Sequence, residues 1–151
     1  MVLVVAPVSP TGAVAAATSS VEVIKTVEGV ADDFGWSFDF LITPEPAGQV
    51  FVQTASGTGD SSDTVGWSGL VPGQQYTVSE FAQLGFAAGE LVCDGVTDLD
   101  TDPTTVTFVA PAGATISCSI TNESCLPAPA SNATGKLPVC PPGQSRLPKD
   151  R

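Results

Sequence analysis

The sequence contains no histidine. Histidine is the commonest general base in enzymes and the commonest protein ligand for metal ions. Neither a Ser–His–Asp triad nor a Cys–His pair can therefore be assembled from this chain. An enzyme is the least expected class of protein, and we predict neither turnover chemistry nor a cofactor.

Positive charge is also scarce. Five Lys and Arg residues stand against sixteen Asp and Glu residues, which gives a formal net charge of −11 at pH 7. Proteins that bind nucleic acid neutralise phosphates with basic side chains, and proteins that dock on anionic lipid use clusters of Lys or Arg. The charge balance excludes ordinary nucleic-acid binding and argues against attachment to an anionic membrane.

No hydrophobic run is long enough to cross a bilayer. Residues Met1–Ala17 are apolar, but Pro7 and Pro10 interrupt them, and a spanning helix needs about 20 apolar residues. The segment ends in Ala15–Ala17, a pattern that signal peptidase cleaves, yet no basic residue lies near Met1. Residues 1–20 are thus either the remnant of a signal peptide or a mature segment with its own binding partner.

The four cysteines indicate an oxidising compartment. They show no C-x-x-C spacing, and no histidine is available to complete a zinc site. Four cysteines allow three disulfide connectivities. We favour Cys93–Cys118, which would join two strands, and Cys125–Cys140, which would close a loop in the tail. The alternative is a set of buried free thiols in a cytosolic protein.

The remaining composition predicts one folded domain with appendages, since 42% of its 151 residues are hydrophobic and only 14% are charged. Short alternating segments separated by turn residues indicate a β-sandwich of about seven strands. The stretch Thr54–Asp63, rich in Gly, Ser, Thr and Asp, is predicted to be a loop. The predicted strands are Val21–Val27, Trp36–Ile42, Val50–Gln53, Trp67–Leu70, Gln75–Phe81, Phe86–Cys93, Thr104–Val109 and Ala114–Asn122.

The character of the chain changes at Cys125. Residues 125–151 are proline-rich and lack alternation, which is typical of an irregular tail or linker. Four of the five basic residues lie in this tail, whereas Lys25 is the single base before it. We therefore divide the chain into an apolar segment 1–20, a sandwich 21–124 and a tail 125–151.

Three polar residues fall on the apolar faces of their strands. Lys25 is in phase with Val21, Val23 and Val27, and a lysine is almost never buried unless it is paired. Glu80 is likewise in phase with Tyr76 and Val78, and Asn122 with Ile116, Cys118 and Ile120. In a sandwich, the three strands would bring these side chains together.

The sequence resembles the prealbumin-like modules of bacterial surface proteins, the SpaA or Cna-B-type domains of pili and adhesins. The resemblance rests on the motifs Val-Ile-Lys-Thr at 23–26, Gly-Gln-Gln-Tyr-Thr-Val-Ser-Glu at 73–80 and Ile-Ser-Cys-Ser-Ile-Thr-Asn at 116–122. It implies an isopeptide bond between Lys25 and Asn122, promoted by Glu80. It also implies that Cys93 and Cys118 correspond to the paired cysteines of a disulfide-bearing subgroup.

The chemistry of such a bond would follow from burial. An amine attacks a carboxamide only in its neutral form, which an apolar environment favours. The same environment favours an uncharged carboxyl group, so Glu80 would polarise the Asn122 carbonyl and carry protons to departing ammonia. The alternative is a buried Lys25–Glu80 ion pair with Asn122 as its hydrogen-bond partner.

Other site candidates are weaker. Asp94, Asp98, Asp100 and Asp102 form an acidic loop that would supply oxygen ligands to calcium, but it lacks the spacing of an EF-hand loop, so we expect a solvated loop and no metal. Trp67 would stack on a sugar if it were exposed.

Two Asn-x-Ser/Thr sequences, at Asn122 and Asn132, are potential glycosylation sites. At Asn122 this motif competes with the isopeptide role.

We therefore predict a secreted, extracellular, non-enzymatic module with a structural or adhesive role at a cell surface. Its partners would be other domains or copies of a surface assembly, or a host matrix protein or glycan. Two alternatives remain open. The chain would be a self-assembling filament subunit if Met1–Ser20 added as a strand to a neighbour's sheet. It would be a ligand-binding adhesin if Trp67 and the Thr54–Asp63 loop held a glycan or protein.

Overall fold

The computed structural model describes residues 17–125, and these form a sandwich of two β-sheets. The predicted all-β sandwich is confirmed, with nine strands rather than about seven. The predicted strand Phe86–Cys93 is split into two short strands. The strands are β1 (Ser19–Glu28), β2 (Gly35–Thr43), β3 (Val52–Thr58), β4 (Ser61–Leu70), β5 (Gln75–Glu80), β6 (Phe86–Ala88), β7 (Val92–Cys93), β8 (Thr105–Val109) and β9 (Thr115–Ser124).

The first sheet has the order β4-β1-β9-β6, with β7 also pairing with β9, and the second has the order β3-β2-β5-β8. The first and last strands are parallel neighbours: β1 pairs with β9 from Ser20 opposite Thr115 to Glu28 opposite Glu123. We call the end of the sandwich at which these two strands begin the entry pole, and the end at which they finish the exit pole. The described chain therefore enters at one pole and leaves at the other.

The core lies between the sheets, and it follows from strand alternation. Every second residue of β1 and β9 is buried, and β2 alternates in the same way. Because the facing residues are Val, Ile, Phe, Trp and Tyr, the two inner faces form one continuous apolar core. Lys25, Glu80 and Asn122 are buried polar residues on these inner faces.

The loop predicted for Thr54–Asp63 is wrong. Strands β3 and β4 occupy most of it, and only Gly59 and Asp60 connect them. Small hydroxyl residues fit a strand whose outer face is solvated, and the inward position at Ala55 is fully buried. Composition indicated a loop because the same polar residue types occur in turns and on the solvated face of a strand, and composition alone does not distinguish the two.

The outer edges of β3 and β4 are closed against each other by side chains. The Gln53 side chain bonds to both backbone groups of Gly66, accepting from its N–H at 3.2 Å and donating to its carbonyl. Asp63 accepts from the Ser56 N–H at 2.9 Å. Since an unpaired edge strand invites pairing with another chain, these contacts protect this side of the sandwich.

The described residues include both predicted boundaries of the sandwich. β1 begins at Ser19, so residues 19 and 20 belong to the sandwich rather than to the apolar segment. β9 ends at Ser124, next to the predicted start of the tail. Residues 1–16 and 126–151 lie outside the described residues, so the assignments made for them stay predictions. Within residues 17–125 no helix is long and apolar enough to cross a membrane.

Candidate functional site: a buried Lys–Glu–Asn cluster

Three strands bring the predicted polar residues to one place inside the sandwich. Lys25 lies on β1, Asn122 on β9 and Glu80 at the end of β5 in the opposing sheet. Their exposed fractions are 0%, 1% and 5%. The inward phase of each residue in its strand accounts for this convergence, because alternation puts all three on the face that meets the other sheet.

The register of the parallel pair makes Lys25 and Asn122 diagonal neighbours. Lys25 lies opposite Ile120, and Asn122 lies opposite Val27, two positions further along both strands. Diagonal neighbours on one face of a sheet are within reach when one side chain is long. The lysine amine is therefore directed toward the region occupied by the Asn122 carboxamide.

Glu80 contacts both of the other residues. The Lys25 Nζ atom lies 2.8 Å from Glu80 Oε2, and Asn122 Nδ2 donates a hydrogen bond of 2.6 Å to Glu80 Oε1. The Lys25–Glu80 contact is close but poorly aligned for a hydrogen bond, and Asn122 Oδ1 has no hydrogen-bond partner in residues 17–125. The three side chains are thus in contact, but not all of their polar atoms are hydrogen-bonded, and an unbonded polar atom in a buried site lowers stability.

The surroundings of Lys25 favour its neutral form. Burial lowers the pKa of Lys25 from 10.5 to about 8, although the Glu80 carboxylate acts in the opposite direction. The Nζ atom also lies 4.2 Å from the centre of the Phe38 ring, a cation–π arrangement that partly compensates for lost hydration. A larger fraction of Lys25 is neutral near pH 8 than an exposed lysine would allow.

The arrangement contains the three groups that amide formation requires. Lys25 provides an amine, Asn122 a carboxamide, and Glu80 a carboxyl group in contact with both. Such a reaction needs neither metal nor cofactor. The part of the chain that the structure describes holds no cluster of three or more side chains able to bind a metal ion.

Phe38 is a site residue that the sequence did not single out. Its phase with Trp36, Phe40 and Ile42 on β2 indicated a core position. This alternation could not predict which of these side chains would lie over Lys25, because that contact depends on how the two sheets pack on each other.

A disulfide joins Cys93 on β7 to Cys118 on β9, where the two residues lie directly opposite each other. The two cysteines are one of the two pairs favoured from the sequence, and the bond joins two strands as expected. No described cysteine is free. The other favoured pair, Cys125–Cys140, includes a residue outside the described range and stays a prediction.

Trp67 is not available for stacking on a ligand. Its side chain is 1% exposed, and its indole N–H donates to the Val50 carbonyl at 2.7 Å. The prediction of a binding role for Trp67 is wrong because β4 turns this side chain into the core. The adhesin alternative loses both of its proposed contacts, since the Thr54–Asp63 loop is also absent.

The acidic residues at 94–102 organise their own loop. Asp98 Oδ1 accepts from the N–H groups of Asp100 and Thr107, and Asp100 Oδ1 accepts from those of Thr101 and Asp102. These backbone hydrogen bonds lower the pKa of Asp100. The carboxylates are thus used as turn acceptors, and the structure does not gather Asp94, Asp98, Asp100 and Asp102 into a group that could hold calcium.

The sequon at Asn122 cannot accept a glycan in the folded protein, because its side chain is buried and bonded to Glu80. That candidate site is wrong for the folded chain. The second sequon, at Asn132, lies outside the described residues.

The described sandwich coincides with a known protein family. Residues 21–124 match the family described as prealbumin-like fold domain. One similar solved structure is a bacterial adhesin from Mobiluncus mulieris containing intramolecular disulfide, isopeptide and ester bond cross-links, with TM-score 0.48 and 19% identity over 71% of this chain and 41% of that chain. Another is the major pilin from Streptococcus pyogenes, with TM-score 0.41 and 12% identity over 72% of this chain and 48% of that chain.

This chain therefore spans less than half the length of either of these proteins. No curated protein matches the chain.

Proposed function

Because the chain belongs to the family of prealbumin-like fold domains, we propose that it is a non-enzymatic structural module of a secreted surface protein, tied internally by an amide bond between Lys25 and Asn122. The observation that carries the proposal is the buried contact of Lys25 and Asn122 with one carboxyl group, that of Glu80. The Cys93–Cys118 disulfide supports an extracellular location, since such bonds persist in oxidising compartments.

The reaction balances without any external reactant. The neutral Lys25 Nζ attacks Asn122 Cγ, the Cγ–Nδ2 bond breaks, and one ammonia leaves. Glu80 takes a proton from the amine and passes a proton to the departing nitrogen, so it ends in the protonation state in which it began. The reaction happens once in each folded chain and is not turnover.

The product would join the first strand of the sandwich to the last. β1 and β9 are neighbours held by backbone hydrogen bonds, and a covalent bond between them would hold under tension that separates such bonds. A module that enters at one pole and leaves at the other is suited to carrying force along a surface protein. The competing interpretation is that the cluster stays an ion pair with Asn122 as a hydrogen-bond partner, which would satisfy the same buried groups.

The intact mass, measured after reduction of the disulfides, distinguishes the amide crosslink from the ion pair. We expect the wild-type protein to be lighter than its sequence by one ammonia. Lys25→Ala, Asn122→Ala and Glu80→Ala should each show the full sequence mass. Lys136→Ala, which removes a lysine of the tail, is the matched control and should keep the deficit.

A wild-type mass equal to that of the sequence would overturn the crosslink and leave the ion pair. A deficit that persists in Lys25→Ala would also contradict the proposal, because ammonia would then be lost elsewhere. Digestion of the wild-type protein should release one branched peptide that contains both Lys25 and Asn122.

A further inference from the structure

An apolar groove lies at the entry pole, beside the edge strand β8. Its volume is about 340 Å³, and Gly95, Val96, Thr97, Leu99, Val109 and Pro111 line it. Leu99 and Val109 are 58% and 49% exposed. Paired large apolar side chains in a concave surface are a common mark of a contact site.

Within the described residues, the outer edge of β8 beside the groove has unpaired backbone groups at Val109 but not at Thr107. The N–H and carbonyl of Thr107 face away from β5, since they bond to Asp98 Oδ1 at 3.0 Å and to the Leu99 N–H at 2.8 Å. Strand alternation directs the N–H and carbonyl of Val109 to the same side. No group in residues 17–125 bonds to the N–H or carbonyl of Val109. The groove therefore offers a hydrogen-bond donor and an acceptor together with its apolar walls.

The described chain begins beside this groove. The Gly113 N–H donates to the Ala17 carbonyl at 3.0 Å, and the Ser19 hydroxyl donates to the carbonyl of Pro111, which lines the groove. The chain before Ala17 therefore starts within a few residues of Val109. An extended chain covers about 3.3 Å per residue, so residues 1–16 can reach along the whole groove.

Residues 1–16 also have a suitable composition. The segment contains no charged side chain, and its large residues are apolar, Val14 being the one nearest to Ala17. Residues 17–125 carry one basic residue against fifteen acidic ones, and an uncharged segment meets no repulsion from them. Attachment through Ala17 gives the segment a high effective concentration at the groove compared with the same segment of another molecule.

We propose that the segment 1–16 docks in the groove of its own sandwich, with Val14 against Leu99 and with backbone hydrogen bonds to Val109. This interaction surface is independent of the Lys25 cluster, which lies on the exit-pole side of the molecule. The segment covers the β8 edge in the same chain rather than adding to the sheet of a neighbour.

Hydrogen exchange of the Val109 amide tests the contact in the full-length chain. We expect the wild-type amide to exchange at least about tenfold more slowly than in Val14→Asp or Leu99→Asp, because each substitution places a charge in an apolar contact. Val92→Asp, which alters a half-exposed residue on β7, is the control and should leave the Val109 rate unchanged. Equal rates in wild type and Val14→Asp would overturn the proposal.

Light scattering over a range of protein concentrations identifies whose segment occupies the groove. A monomer with a protected Val109 amide supports docking within one chain. Protection that appears only as the protein associates would overturn the proposal and assign the groove to the segment of a neighbouring copy. Leu99 lies outside the core, and unchanged exchange of β1 and β9 amides would show that both variants are folded.

Discussion

Lys25 combines two properties that are rarely found together in a lysine. It is completely buried, and it is charge-paired with a carboxylate at 2.8 Å. Desolvation and pairing shift its pKa in opposite directions, and desolvation is the larger effect. Lys25 is thus destabilising while it remains a free cation, and conversion to a neutral amide would remove that cost.

The cost predicts a pH-dependent stability in a protein that cannot form the crosslink. The causes of the lowered Lys25 pKa, burial opposed by Glu80, remain in Asn122→Ala, so we expect it to keep a folded-state pKa of about 8 against 10.5 in the unfolded chain. Between these values the unfolded chain holds a proton that the folded chain has released, so raising the pH stabilises the folded state. We expect the free energy of unfolding to rise by roughly 3 kcal/mol from pH 8 to pH 10.5.

The double variant Lys25→Met/Asn122→Ala is the control for this measurement. It keeps every other group that titrates in the same interval, so the difference between the two denaturation series isolates Lys25. A difference that does not change with pH would show that Lys25 keeps an ordinary pKa. The crosslinked wild type should also lack the rise, because an amide nitrogen does not titrate there.

The sequence predicts which polar side chains meet in the core, but it does not predict which apolar side chains surround them. Lys25, Glu80 and Asn122 were found because each is polar in an apolar phase of its strand. For Trp67 the sequence left open whether the side chain is exposed, and the structure buries it. Periodicity within a strand identifies inward positions, whereas contacts between sheets depend on how the sheets pack.

At the scale of strands, β3 shows how a segment of small and polar residues that includes a glycine can still form a strand. Gly57 lies opposite Trp36 on β2, and the indole ring covers the space that a side chain at Gly57 would fill. The indole N–H of Trp36 then donates to the Gly59 carbonyl at 3.0 Å, which fixes the end of β3. The glycine that suggested a loop is thus required by the packing of its strand partner.

Gly57→Val should therefore destabilise the sandwich, although valine favours strands. The new Cβ would lie 2.7 Å from Trp36 Cε2 and 2.6 Å from Ser61 Oγ, so the ring would have to move. We expect a loss of about 1–3 kcal/mol, measured by chemical denaturation. Gly35→Val is the matched control on the neighbouring strand, where a Cβ meets no atom within 4 Å. Equal effects of the two substitutions would contradict this account of β3.

At the scale of the whole molecule, the connectivity determines how force travels. The described chain enters at the start of β1 and leaves at the end of β9, and these strands are parallel neighbours. Pulling on the two ends therefore slides β1 against β9 along their length. With a Lys25–Asn122 bond in place, tension would pass from residue 25 directly to residue 122 and bypass everything between them.

Single-molecule pulling should show this bypass. In the wild type we expect residues 26–121 to add no length. In Lys25→Ala the unfolding step should release roughly 250 Å of chain while the Cys93–Cys118 disulfide is intact, since an extended residue spans about 3.4 Å. Reduction should then add about 80 Å from the loop that this disulfide closes.

The disulfide is the internal control for that experiment. Both of its cysteines lie between residues 25 and 122, so tension does not reach it while the amide bond holds. Reduction should therefore leave the extension of the wild type unchanged and lengthen only the variant. A wild type that extends as far as Lys25→Ala would show that β1 and β9 are joined by hydrogen bonds alone. The module would then resist force only as far as its nine-residue parallel ladder allows.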